Sequence, residues 1–294
     1  MLMINCYLTV PMPANVTMVM VEINTIASFD YLPTDSLFEY LFKFSKAEMP
    51  FATFQAMGVS SLRITLYLGT VFIILALHLI LSLMFLISWP FRNRLRLLDR
   101  FHKMMRDKLY WTGTIRLLIE SYCDMSIGVM LSWREPNTLT LSDAFDFVLT
   151  CFVSLIVVWG PITAYFLLRK NANNLDGQRF QLTYGTLTEG YFTTGILGCQ
   201  ATRYMIIWFL FRRLLTAVSV VYLGDQSPIW QIATIMYLSL ADLLVNFHLN
   251  ALNSKMRRVM SKINDTFVFL FSYFPFVYSG LVLDAETIYD IGWF

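Results

Sequence analysis

The side chains of this chain that could do chemistry are charged residues inside long apolar segments. An ionisable group in the hydrocarbon layer of a membrane costs about 2.5 to 3.5 kcal/mol on insertion scales, so it persists only with a partner or with water. Three cations and three anions of this kind predict a neutral buried cluster: Arg116, Glu120, Asp124, Arg212, Arg213 and Asp242. Two interpretations stay open. The cluster either holds a helix bundle together, or it lines or gates a hydrated ion path.

Sequence spacing places these residues on helix faces at similar depths. Arg116, Glu120 and Asp124 recur every four residues and therefore share one face of a helix. Each helical residue rises about 1.5 Å along the axis. Glu120, Arg212 and Asp242 lie nine or ten residues from the inner ends of their segments, so we expect them at one level in the membrane.

The apolar segments themselves predict an all-α fold, a polytopic transmembrane helical bundle with about six spans. A span needs about 20 apolar residues, and the clearest candidate, Ile64 to Trp89, runs 26 residues without Asp, Glu, Lys or Arg. The chain is 57% hydrophobic and 14% charged, which is too apolar for the surface of a soluble domain of this length. The predicted spans lie near residues 64–89, 110–133, 147–168, 203–223, 230–251 and 266–283.

Two of these spans contain proline, Pro161 in the third and Pro275 in the sixth. Neighbouring helices can satisfy the backbone groups that a proline frees within a membrane, so we expect both to be tolerated. The resulting organisation is a short non-cytoplasmic N-terminal segment (1–62), a transmembrane helical domain (63–283) and a non-cytoplasmic tail (284–294).

The orientation of the chain in the membrane is predicted from the uneven distribution of its cations, although the net charge is only +2. The predicted inner loops carry 14 Lys and Arg residues and the opposite side carries four, as expected if the inner loops are cytoplasmic. The first inner loop contributes half of them, in an amphipathic pattern suited to a helix on anionic lipid: Arg92, Arg94, Arg96, Arg100, Lys103, Arg106 and Lys108. This segment either only determines topology or acts as a lipid- or calmodulin-responsive gate.

An outer N-terminus raises the question of how it crosses the membrane. Residues 1–25 lack the basic region, uninterrupted apolar core and small-residue cleavage site of a signal peptide. Either the first span inserts with its N-terminus outward, or the chain is the tail of a longer protein, and we favour the second.

Motifs of catalysis and cofactor binding are absent from the sequence. The chain has no HExxH, GxSxG, Walker or GxGxxG pattern, so we predict that it is not an enzyme and takes no cofactor. Its four cysteines lack the spacing of a zinc site or a disulfide framework and are predicted to be small core residues. Nucleic-acid binding has no support beyond a basic loop that the membrane explains.

Five short segments together point to a family: Phe29 to Thr34, Met57 to Ser61, Tyr110 to Tyr122, Tyr184 to Gly190, and Arg212-Arg213. They resemble the membrane domain that ends many large cysteine-rich surface proteins of ciliates. That domain is itself similar to the fungal TRP-like (polycystin-like and flavin-carrier) proteins. The resemblance implies a channel-like or transporter-like membrane domain, usually preceded by an extracellular region.

Two departures from the pattern bear on mechanism. The chain has Asn264-Asp265 where the resemblance implies an Asn-Glu pair. TRP channels build their pore from a re-entrant loop between the last two spans, whereas here the corresponding stretch, 253–265, is short and basic. Any ion path is therefore expected within the helix bundle, with Pro161 and Pro275 as candidate hinges.

Three hypotheses on function follow. The chain is a TRP-like ion channel or transporter-like domain, a non-conducting membrane anchor of a surface assembly, or a structural subunit of a larger membrane complex. Its predicted partners are the lipid bilayer, anionic lipid at the inner leaflet, and further copies of itself or other membrane subunits. We expect a multi-pass protein of the plasma membrane or an endomembrane.

Overall fold

The structure is a computed structural model, and it describes the larger part of the chain. The described residues are 8, 13, 16–19, 21–22, 34–42, 44, 54–55, 59, 61–88, 112–136, 138–172, 174–175, 177–191, 196–224 and 227–279. Regular structure in these residues is helical, and a single isolated β-bridge joins Tyr191 to Leu252. The predicted all-α fold class is confirmed.

The helices of the described residues are, in chain order, α1 (Thr34–Leu41), α2 (Ile64–Tyr67), α3 (Gly69–Ser88), α4 (Thr114–Glu120), α5 (Tyr122–Arg134), α6 (Leu141–Lys170), α7 (Gln178–Thr188), α8 (Ile196–Tyr222), α9 (Pro228–Leu249), α10 (Lys255–Phe271) and α11 (Phe274–Val277). Four helices in this part of the chain are long and apolar enough to cross a membrane, namely α3, α6, α8 and α9. They coincide with the first, third, fourth and fifth predicted spans.

Helix α8 is the centre of the bundle. It packs against α5, α6, α7 and α9. The small and β-branched side chains of Ala217, Val220 and Val221 are fully buried on its interior face, which lets neighbouring helices approach closely. Helix α3 is the opposite case, because none of its most hydrophobic stretch is buried. We therefore look for a charged site around α8 rather than along α3.

An apolar cluster closes the predicted outer end of the bundle. Leu131 of α5 and Ile232 of α9 belong to it, and two fully buried residues of the N-terminal segment, Leu8 and Phe54, pack into the same cluster. Burying an apolar side chain of this size contributes about 1.5 to 3 kcal/mol. Part of the predicted N-terminal segment is thus a component of the core.

The predicted second span consists of two helices, α4 and α5, separated at Ser121. The hydroxyl of Ser121 donates to the carbonyl oxygen of Leu117 at 2.6 Å, and so does its backbone N–H at 2.9 Å. Back-bonding of this kind bends helices. Eight residues of α5 are buried, whereas none of α4 is.

Pro161 lies inside α6 without ending the helix. A proline has no N–H, so the carbonyl oxygen of Val157, four residues earlier, loses its usual donor. The hydroxyl of Tyr122 donates to that oxygen at 2.8 Å, and the Tyr122 side chain is buried. The expectation that a neighbouring helix satisfies the backbone group freed by Pro161 is confirmed. Pro275, by contrast, lies in the first turn of α11, where a proline costs little.

Helix α10 is amphipathic and its first half is basic. Its last residues, 266–271, overlap the start of the predicted sixth span. Helices α10 and α11 both pack against α9. Tyr278, just after α11, packs in the same cluster as Ile232 and Ile235 near the start of α9. The stretch from Lys255 to Tyr278 therefore accompanies α9 from one end to the other.

Candidate functional site

A buried ion pair joins the central helix to its neighbour. The guanidinium Nη1 of Arg212 on α8 pairs with Oδ2 of Asp242 on α9, and the two side chains are only 11% and 14% exposed. Removing one partner of such a pair typically costs 3 to 5 kcal/mol, because the other charge is left without compensation. Among the six predicted residues, these two meet directly in the interior.

A tryptophan donates a hydrogen bond to the other oxygen of the Asp242 carboxylate. The indole Nε1 of Trp208, one helical turn before Arg212, donates to Oδ1 of Asp242 at 2.9 Å. One face of α8 thus supplies a donor to each carboxylate oxygen. The Nε of Arg212 is buried and has no hydrogen-bond partner within the described part of the chain. The acid is therefore fully satisfied, while the cation is not.

The polar contacts continue from Asp242 towards the predicted inner end. Asn246 lies one turn further along α9, and its Nδ2 donates to Oγ of Ser261 at 2.6 Å and to Oδ2 of Asp265, both on α10. Asp265 lies within electrostatic reach of Arg212. The interior cluster of Trp208, Arg212, Asp242, Asn246, Ser261 and Asp265 therefore holds two acids around one arginine, and we call it the central cluster.

Sequence reasoning missed the part of the central cluster that lies on α10. Asp265 ends the stretch 253–265, which the sequence predicts to be a cytoplasmic loop, and it stands where the resemblance implies a glutamate. The usable signal was helical spacing. Ser261 and Asp265 are four residues apart in an amphipathic segment, so they share a face.

Arg213, the next residue of α8, joins the central helix to the broken second span. Its Nη1 donates to the carbonyl oxygens of Ile119 at 2.8 Å and Glu120 at 3.3 Å. These carbonyls lie at the C-terminus of α4, where the break removes their intrahelical donors and where a cation is favoured. Its guanidinium also lies 4.2 Å from the ring centre of Phe209. Arg213 therefore caps α4 from a neighbouring helix.

The remaining predicted residues lie on the outside of the bundle. Arg116 pairs with Glu189 of the segment after α7 at 2.5 Å and with Glu120 at 3.8 Å. These three side chains are 52%, 59% and 71% exposed, respectively. Asp124 is exposed as well, within electrostatic reach of Arg213. The six predicted residues thus form two groups, and the adjacent residues Arg212 and Arg213 connect them.

Among the described residues, the most deeply buried ion pair lies elsewhere, at the predicted outer end. Nη2 of Arg63 lies 3.0 Å from Oδ1 of Asp143, and the side chains are 4% and 0% exposed. One turn further, Asp146 accepts hydrogen bonds from the backbone N–H of Thr65, at 2.9 Å, and from its hydroxyl. We call these four residues the outer clamp, because they tie the start of α2 to the start of α6.

From the sequence, Arg63, Asp143 and Asp146 are predicted only to be charges on the outer side of the membrane. The signal that could have found them is the pattern Thr140-x-x-Asp143, which is a capping box. In the structure Thr140 and Asp143 exchange the two hydrogen bonds of that motif. The box starts α6 at Leu141, six residues before the predicted span, and this brings both acids to the first turns of the helix.

At the predicted inner end of the bundle, the connector between α7 and α8 contacts the connector between α9 and α10. The backbone N–H of Asn253 donates to the carbonyl oxygen of Gly190 at 3.0 Å, next to the bridge between Tyr191 and Leu252. Gly190 has φ +88°, a conformation that other residues rarely adopt. Burial, and to a lesser degree Asp265, raises the pKa of Tyr191, against the opposing effect of Arg212.

Two further predictions concern the basic inner loop and the cysteines. The basic segment from Arg92 to Lys108 lies outside the described residues. Cys123 and Cys151 are free and partly buried. Within the described part of the chain, no three His, Cys, Asp or Glu side chains come together in a way that could hold a metal ion.

Four helices that are long and apolar enough to cross a membrane, with a buried ion pair between two of them, are compatible with an integral membrane protein. No protein-family model, curated protein or solved structure matches the chain.

Proposed function

We propose that the chain is a TRP-like ion channel or transporter-like membrane domain, rather than an enzyme, and that the central cluster lies on its ion path. The observation that carries the proposal is the charge of this cluster. Arg212 pairs with Asp242 between α8 and α9 and lies within electrostatic reach of Asp265 on α10. Ionisable groups at such depth in a membrane protein mark ion or proton paths more often than other sites.

A six-span topology accompanies this proposal. Residues 114–134 contain α4 and α5, and about 32 Å of helix at 1.5 Å per residue is long enough to cross a bilayer. The packing of α5 against α6 and α8 supports a bent span whose second half is buried. The course of residues 255–278 along the whole of α9 supports a sixth span. With the basic loops on the cytoplasmic side, both termini lie on the opposite side.

The test is ion flux through purified protein in liposomes. Arg212→Gln keeps much of the side-chain volume and removes the charge, so we expect flux to fall at least about tenfold, with detergent-extracted protein still monodisperse. Arg169→Gln, at the exposed end of α6, is the matched control and keeps wild-type flux.

The same experiment has two outcomes against the proposal. Wild-type protein that conducts no ion above empty liposomes contradicts it directly. An Arg212→Gln variant that aggregates, while Asp242→Asn folds and conducts normally, assigns the cluster to assembly alone.

A second candidate function is a structural or anchoring role, and helix α3 favours it. Leu79, Leu83 and Ile87 lie on α3, and each is more than half exposed. A helix with so little contact to its own bundle is suited to packing against another membrane subunit. Stoichiometric co-purification of other subunits from the native membrane, lost in Leu83→Trp, would favour this role, whereas a chain that purifies alone disfavours it.

A further inference from the structure

An apolar groove runs between α8 and α9 on the surface of the bundle. Its volume is about 520 Å³, within the range of small-molecule sites in proteins. Six of the residues that form it are Tyr204, Trp208 and Phe211 on α8 and Leu244, Val245 and His248 on α9. The surface that lines the groove is almost entirely apolar, which favours a hydrocarbon occupant.

The groove belongs to the surface that a membrane protein turns towards lipid. Both of its walls are helices long and apolar enough to cross a bilayer. Tyr204, Phe211 and Leu244 are 59%, 46% and 61% exposed, so the groove is continuous with the lipid-facing band of both helices. From Tyr204 to Phe211 it extends about 10 Å along α8, less than the thickness of one leaflet.

The polar end of the groove faces the basic end of the bundle. Tyr204 and His248 lie at its shallow end, where amphipathic rings favour the headgroup layer. Four cations follow within the first turns of α10: Lys255, Arg257, Arg258 and Lys262. The ammonium group of Lys262 lies 4.6 Å from the ring centre of Phe247, which adjoins His248. Positive charge at this depth attracts anionic headgroups.

One wall of the groove also contacts the central cluster. The indole of Trp208 lines the groove, and its Nε1 donates to Asp242. A chain lying against that ring restricts its movement and so stabilises the hydrogen bond.

We propose that the groove between α8 and α9 binds one acyl chain of an anionic phospholipid of the cytoplasmic leaflet, with its headgroup beside the cations of α10. This site requires membrane insertion, and it does not require that the protein conducts ions. It assigns a specific lipid contact to a surface next to the buried ion pair.

Native mass spectrometry of delipidated, detergent-purified protein tests the site. Palmitoyl-oleoyl phosphatidylglycerol and the corresponding phosphatidylcholine are the two probes. We expect one phosphatidylglycerol retained per chain, with about fivefold weaker retention of phosphatidylcholine for each cation that the headgroup engages. Val245→Trp fills the groove and loses this lipid, whereas Leu83→Trp, on the exposed face of α3, keeps it. Equal retention by both variants, or of both lipids, overturns the proposal.

A second measurement does not depend on the folding of Val245→Trp. One equivalent of phosphatidylglycerol with a dibrominated acyl chain quenches tryptophan fluorescence over a short distance. We expect the quenching to disappear in Trp208→Phe and to persist in Trp230→Phe, which removes an exposed indole at the other end of α9. Equal quenching in the two variants places the lipid elsewhere and overturns the proposal.

Discussion

The outer clamp and the central cluster are each built around a buried Arg–Asp pair, and they differ in what else holds the charges. In the outer clamp, the backbone N–H groups of Thr140 and Thr65 donate to Asp143 and Asp146, so both acids are fixed by rigid elements. In the central cluster, the donors to Asp242 are side chains alone, from Arg212 and Trp208. Backbone donors cannot change partners without local unfolding, whereas side chains can change rotamer. Burial alone therefore does not identify a functional charge.

The largest loss of stability is expected from a substitution in the outer clamp. Asp143→Asn leaves Arg63 buried beside a neutral amide, and we expect a loss of about 3 to 5 kcal/mol of stability. The measurement is the melting temperature and the monodisperse fraction of purified protein. Glu39→Gln, at an exposed acid on α1, is the control and is expected to melt like the wild type. Normal melting of Asp143→Asn would remove the structural role assigned to the clamp.

A smaller effect is expected where α5 compensates for the proline of α6. Tyr122→Phe leaves the carbonyl oxygen of Val157 without its donor, which costs about 1 kcal/mol. In a Pro161→Ala background the backbone N–H of residue 161 returns and supplies that donor. The same Tyr122→Phe change should then cost much less, as a double-mutant cycle of melting temperatures would report. Equal costs in the two backgrounds would contradict this account of the contact.

The smallest effect is expected for the exposed pair between α4 and the α7–α8 connector. Glu189→Gln removes the partner of Arg116, and both side chains are more than half exposed, so we expect about 0 to 1 kcal/mol. In the bilayer the effect would grow if the pair lies below the headgroups. The measurement is the melting temperature of Glu189→Gln relative to wild type, in detergent and in nanodiscs. A large loss of stability in detergent would contradict the description of this pair as exposed.

The sequence alone predicted the long elements and the charged residues at their centre. Uninterrupted apolar length predicted the first span, because crossing hydrocarbon requires it. The expectation that Pro161 is tolerated also came from the sequence. The break at Ser121 could not be predicted from the sequence, since the hydroxyl of Ser126 makes the same backward bond within a helix that continues.

The tertiary structure decided which side chains pair between different helices. Charge balance suggested that six residues form one cluster, but it could not say which cation faces which acid. Packing of α8 turned Arg212 towards Asp242 and Arg213 towards the end of α4, although the two arginines are adjacent in the chain. Successive residues of a helix point about 100° apart, so neighbouring side chains meet different helices.

The sequence by itself determined the helical class, the apolar length of most spans and the presence of charges within them. These properties depend on residues close together in the chain. Only the tertiary structure decided that Arg63 pairs with Asp143, that Asp265 joins the central cluster, and that Tyr122 completes the backbone of α6. Each of these contacts joins residues far apart in the chain. Helix rotation and packing bring them together, and no local pattern records either.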